Sequence, residues 1–361
     1  MNISFSKEHT LISKGIAIIL MLFHHLFNDY EEYAGYIVNF SPFNAERVRF
    51  YAVLGKICVA IFVFLSGYGI AATWHKKFAQ KQPSNKEVFS FTWNRLWKLM
   101  CIYWFAFLLT LICQPLVRTI YDAYGTVPKD IAAYLTIDFF GLAHMFGTPT
   151  LNPTWWYMSM AIAIILLMPF VIKAMEKFGS FAVLGMTVVA LFFLDARNAN
   201  TFYLFSVVLG AACFENQIFE KTARLWQTHR YGLFLKAFLE LGSFLILLAF
   251  RSNYNYYGIV DGLIALVLAM LVSTVLVKIP VITDIMQLLG CHSGNMFLIH
   301  NQIYSFYFLG FIYSFGHWLL ILLALTVISL LVSMAMELVK KYSGYQKAME
   351  RLGQKIQNAF L

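Results

Sequence analysis

Two adjacent histidines close the first apolar run of the chain, which reads Lys14-Gly15-Ile16-Ala17-Ile18-Ile19-Leu20-Met21-Leu22-Phe23-His24-His25. A neutral imidazole is the side chain best suited to take a proton from a hydroxyl near neutral pH, its ordinary pKa lying near 6.5. On a helix, Lys14 and His25 lie about 16 Å apart along the axis, one toward each end of the run. Two readings stand: Lys14 snorkels while the His pair caps the opposite interface, or the lysine meets an anion and His25 serves as a general base. Further along, Phe62-Val63-Phe64-Leu65-Ser66-Gly67-Tyr68-Gly69 sets a Ser-Gly-x-Gly break in an apolar helix, which marks close helix packing or a polar group with work to do. Arg95 and Lys98 share a face at i, i+3. They either anchor a helix to an anionic interface or hold a phosphate. His300 stands with Asn295, Asn301 and Gln302 in an otherwise apolar segment, as a packing histidine or as a group that orients a substrate. His144 and Asp138 lie in a polar loop, where a histidine on a wet surface is the plain expectation. No His-Glu-x-x-His, paired cysteines or carboxylate cluster has metal-ligand spacing, so no metal site is expected.

The elements that must position these residues are set by composition. Of 361 residues 60% are apolar and 12% charged, with a mean hydropathy of +0.68. Soluble domains carry about 25% charge, so a water-soluble enzyme is excluded and a multi-pass membrane protein is expected. The apolar runs predict an all-α transmembrane bundle of about ten helices: roughly 11–27, 53–74, 97–117, 154–174, 180–194, 202–215, 231–250, 257–278, 294–313 and 316–338. The fifth and sixth are short for a bilayer. On alternate sides of such a bundle, most Lys and Arg fall on one side. The other side receives Arg47, Arg49, Lys56, Arg118, Lys129, Arg197 and Arg251. Both termini are therefore expected in the cytoplasm, and the net charge of +9 reads as orientation rather than as a nucleic-acid footprint.

The long segments 28–52 and 118–153 then face outward and are able to fold back over the helices. Residues 339–361 form a short basic tail with Met349, Leu352, Ile356 and Phe360 at near-helical spacing, expected as an amphipathic helix on the inner leaflet. The five cysteines read as small apolar residues. Trp155-Trp156-Tyr157 and the run from Arg251 to Tyr257 are expected as interfacial aromatics, with sugar stacking as the alternative.

Three of these stretches, KGIAIILMLFHH, IFVFLSGYGI and NRLWKLMCIYW, in this order, resemble the opening motifs of the acyltransferase-3 family of membrane acyltransferases. Asn152 to Ser159, followed by Pro169, resembles the family's fourth-helix W-Y-x-S…P pattern. Leu289 to His300 resembles its penultimate-helix S-x-x-x-(Y/F)-L-x-H pattern. The likeness covers almost the whole chain.

The resemblance implies transfer of a short acyl group, commonly acetyl, from a cytosolic acyl-CoA to a hydroxyl of an extracytoplasmic or lipid-linked glycan, at the cell membrane. The family's Arg-x10-His falls on Lys14 and His25, which makes His25 the catalytic base. Its Arg-x-x-Arg falls on Arg95 and Lys98, which with Lys14 would hold the CoA phosphates. Each Arg-to-Lys change keeps the charge and loses the bidentate fork. Ala161 stands where many members carry Glu. His24, Ser66, Trp156, Asn295 and His300 are the candidates for orienting substrate. Acyl-CoA is expected as a co-substrate and no cofactor as permanently bound. The expected domains are residues 1–338 as the transmembrane acyltransferase and 339–361 as the tail, a stand-alone module without a fused esterase-like domain. The competing reading is a saccharide transporter or flippase, or a non-catalytic sensor, on the same bundle.

Overall fold

The structure is a computed structural model that describes residues 5–78, 81–116, 119–194, 199–227, 231–253 and 258–360. Tyr254 to Tyr257, Arg118 and Arg197, named above, lie outside the described residues. In chain order the helices are α1 (Lys7–Phe27), α2 (Ala45–Leu54), α3 (Cys58–Phe78), α4 (Asn85–Cys113), α5 (Ile120–Tyr124), α6 (Pro128–Phe139), α7 (Ala143–Phe146), α8 (Trp156–Phe178) and α9 (Ser180–Phe193). They continue with α10 (Ala199–Phe202), α11 (Leu204–Glu215), α12 (Ile218–Gln227), α13 (Gly232–Asn253), α14 (Gly258–Thr274), α15 (Pro280–Asn301), α16 (Leu309–Tyr313), α17 (Trp318–Tyr342) and α18 (Tyr345–Phe360). No strand occurs among the described residues, so the fold is all-α.

Among the described residues, seven stretches are long and apolar enough to cross a bilayer: α1, Ala45–Phe78, Asn85–Leu116, Pro153–Phe178, α13, Gly258–Lys278 and α17. The fifth and sixth expected spans correspond to α9 and α11, apolar but short. The ninth differs most from its expected form. It begins at Pro280 rather than near 294, gives way to a π-helix over Gln302–Tyr307, and ends in α16. Local chemistry explains several boundaries. Ser6 caps α1 in a reciprocal box with His9, and Ser84 does the same for α4 with Glu87, each pair satisfying helix-end N–H groups. The expected outer segments are folded into short helices, α2 in 28–52 and α5 to α7 in 118–153.

The chain forms two compact units. The first comprises the described residues of Met1–Glu32, Phe43–Gln80 and Leu167–Ser293; the second those of Tyr33–Pro42, Lys81–Leu166 and Gly294–Leu361. In the first, α3 packs on α11 at very close range. A Cβ at Gly67 would strike the backbone carbonyl of Val207, and one at Gly210 the carbonyl of Phe64. Without a glycine at each crossing point the two backbones could not approach this far, which is how small residues bind helices where water supplies no drive. Gly69, the other half of the Ser-Gly-x-Gly signal, has open space around it. Along α13, Phe234, Phe238 and Ile246 are exposed, as a helix facing lipid requires.

Candidate functional site

In the first unit the His pair occupies the last turn of α1. The His24 ring donates from Nδ1–H to the carbonyl of Ala52 at 2.9 Å, which fixes its orientation and, in the neutral ring, its tautomer. His25 is half-buried, its ring edge-on to His24 at 5.2 Å. Asn28 ends the helix by donating to the His24 carbonyl at 2.8 Å. Lys14 is half-buried in the same helix, and the neighbouring Gly15 lies against the backbone of Met286. Ser66 spends its hydroxyl hydrogen on the Phe62 carbonyl of its own helix, at 2.8 Å.

The first unit also holds an ion pair that the sequence reading missed. Arg251 meets Asp261 at 2.5 Å, with Asp261 only 2% exposed. A lone acid in the apolar run Gly258–Thr274 was a legible signal, because an ionised group at membrane depth needs a partner or a task. Lys236, counted with the orienting charges, is likewise buried, 3.6 Å from Glu240.

In the second unit the fourth and fifth motifs are brought together. The Trp155 indole N–H donates to the Leu298 carbonyl at 2.9 Å, and Asn152 donates to the same oxygen at 3.3 Å. Asn301 returns a bond to the Asn152 side-chain oxygen at 3.0 Å, and Gln302 donates to the Leu151 carbonyl at 3.3 Å. His300 is fully buried beside this junction. Its Nδ1–H donates to the Phe297 carbonyl at 2.8 Å and its ring stacks on Tyr304, just where α15 gives way to the π-helix. Such π segments are common at functional sites.

Trp156, chosen from the sequence, is half-buried against an exposed His144. Its neighbour Trp155 is the one that ties the motifs. Nothing in a Trp-Trp pair tells which indole turns inward.

Thr150 and Leu151, just before this junction, are held by Asp138. Its carboxylate accepts from Tyr124 O–H at 2.7 Å, Thr150 O–H at 2.9 Å and Leu151 N–H at 2.7 Å, while Tyr103 O–H donates to its main-chain carbonyl at 2.6 Å. Burial pushes the Asp138 carboxyl above the ordinary carboxylate value, against the opposing pull of these hydrogen bonds. Asn295 is saturated in a second cluster. Its amide donates to Glu337 at 2.7 Å and Ser333 at 3.1 Å, and its oxygen accepts from Lys340 at 2.9 Å. Lys340, a tail charge in the sequence reading, is therefore buried in an ion pair with Glu337.

Arg95 and Lys98 belong to α4, also in the second unit. The Arg95 guanidinium lies over the Phe91 ring, 4.9 Å from its centre, whereas Lys98 is exposed at a cavity of about 540 Å³. They share a face and are spent differently. All five cysteines are free thiols, Cys58 and Cys213 buried and Cys291 exposed.

The sequence model of a family described as an acyltransferase domain matches residues 12–338. No curated protein and no solved structure matches the chain.

Proposed function

Since the chain belongs to the acyltransferase-3 family and is a membrane acyltransferase, we propose that it moves a short acyl group, acetyl first among them, from acyl-CoA to a hydroxyl of an extracytoplasmic or lipid-linked glycan at the cell membrane. His25 takes the acceptor's hydroxyl proton as that oxygen attacks the thioester carbonyl. The new ester C–O bond forms, the C–S bond breaks, and the departing thiolate receives the proton. Lys14, Arg95 and Lys98 meet the phosphates of the donor with both termini in the cytoplasm, and no permanently bound cofactor is required. His24, Ser66, Trp156, Asn295 and His300 act as orienting or supporting groups.

The observation that supports His25 is the division of labour in the pair. His24 is tied by Nδ1–H to the Ala52 carbonyl and stacked edge-on to its neighbour, so it serves as a brace. His25, half-buried like its neighbour, lies in the last turn of the helix, where the resemblance places the base, reachable yet partly shielded. The reading is tested with purified protein, acetyl-CoA and a panel of oligosaccharide acceptors, following free thiol release. His25→Ala is expected to lower kcat/KM by roughly 10³-fold while CoA affinity holds within about twofold. A His25→Ala enzyme running at the wild-type rate would overturn the assignment.

A further inference from the structure

The helix α18 begins beyond residue 338, where the family match ends, yet it is tightly placed. After α17 the chain reverses at Gly344, whose φ of +74° favours glycine, and α18 runs back antiparallel along α4. The register is read from four contacts. Tyr345 O–H donates to the Cys101 carbonyl at 2.8 Å, Trp97 N–H to the Met349 carbonyl at 2.9 Å, and Gln357 to the Ser90 hydroxyl at 2.7 Å. Gly353 is buried against the Trp97 indole, where a Cβ would collide. Burial and its neighbour Cys101 push the Tyr345 phenol up to about 12, so it stays a donor at any ordinary pH.

Between the two helices runs the cavity of about 540 Å³. On α4 its wall carries Asn94 and Lys98, at i, i+4. On α18 it carries Gln346, Glu350 and Gln354, at i, i+4, i+8, all exposed. Lys98 makes no ion pair among the described residues. Glu337 and Lys340 also reach the cavity, but each neutralises the other. The groove thus has one available cation on one wall and a ridge of amide, carboxylate and amide on the other.

A site for a bare anion would not place Glu350 on its wall. A ligand that joins phosphate to a base with an exocyclic amine uses both walls: phosphate on Lys98, amine N–H on the carboxylate, ring nitrogens on the amides. We propose that this groove binds the nucleotide end of the acyl donor, and that the α18 ridge Gln346–Glu350–Gln354 is what recognises the adenine. This rests on the reading above that the donor is acyl-CoA. A segment outside the matched acyltransferase domain then sets donor choice.

The test is calorimetric titration of the purified full-length protein with CoA and, separately, with 4′-phosphopantetheine, which lacks the nucleotide. The double variant Gln346→Ala/Glu350→Ala is expected to weaken CoA binding about tenfold or more while changing phosphopantetheine binding less than about twofold. Lys347→Ala, an exposed change outside the cavity lining, should match wild type. Both changed side chains are exposed, so the thermal unfolding transition should stay where it is. CoA binding within about twofold of wild type in the double variant overturns the inference and leaves the donor reading intact. If wild type transfers acyl groups from another donor and binds no CoA, the donor reading and this inference fall together.

Discussion

In the first unit α3 and α11 meet through Gly67 and Gly210, backbone against backbone, whereas in the second unit the elements are joined by polar side chains: Asp138 with its three hydroxyls, and Asn295 with Glu337 and Lys340. The first unit has its polar pairs too, Arg251 with Asp261 and His75 with Glu215 at 2.5 Å. At the α3–α11 crossing, though, backbone meets backbone at both glycines. The first kind of junction tolerates no added volume, and the second no lost partner. A unit that carries a histidine pair at a helix end gains from close-packed backbone. A unit that positions loops and a cavity gains from directional bonds that choose one arrangement among many.

The strongest way to break this contrast is to add volume at the glycine crossing. Gly67→Val must push the Val207 carbonyl aside, and is expected to cost about 3 kcal/mol or more in thermal unfolding of the purified protein. Gly69→Ala, on the same helix with open space around it, should leave the transition in place or raise it by about 0.5 kcal/mol. Equal losses at the two positions would mean that helix propensity, not close approach, governs α3.

A comparable effect belongs to the hub of the second unit. Asp138→Ala strands the Tyr124 hydroxyl and the Leu151 N–H and takes one acceptor from Thr150, while Tyr103 keeps the main-chain carbonyl, and is expected to cost about 3 kcal/mol. The pH dependence sharpens the point. Because the folded carboxyl titrates above its unfolded value, the folded state binds the proton more tightly, so this group's contribution is fully present below the unfolded value of about 3.9 and is lost as pH rises through the folded one. Wild type should therefore gain on Asp138→Asn, which cannot titrate, as pH is lowered from 7 toward 4. A gap that shrinks on acidification would show that hydrogen bonding, not burial, dominates the site.

A smaller loss is expected at the hinge of α18. Gly344→Ala forces a side chain into the left-handed region and should cost about 1 kcal/mol. If that strain loosens the helix, CoA affinity in the titration above falls before the unfolding temperature does.

Much of the fold was legible before any coordinates. Low charge and recurrent apolar runs implied helices through a bilayer, because an exposed backbone has no partner in hydrocarbon. The first, fourth and last expected spans stand close to their expected positions, with differences of a few residues at their ends, whereas the third begins twelve residues earlier, at Asn85. The ninth was misplaced because hydropathy registers the apolar half of α15 and is blind to its polar start at Thr283, Asp284 and Gln287, which the helix carries without interruption. Asp138 and Lys340 were read as loop and tail charges for a similar reason. Sequence reports that a residue is charged, and only folding reports which partners surround it.

What the sequence determined by itself is the solvent, the helical class and the set of motifs, since each follows from residue type and local spacing. Tertiary structure decided which members of those motifs bear load. It turned Trp155 rather than Trp156 onto the Leu298 carbonyl, tied the His24 ring to the Ala52 carbonyl, and folded α18 back on α4 to build a groove at Lys98. Those outcomes depend on hydrogen-bond geometry between segments far apart in the chain, which no local pattern encodes.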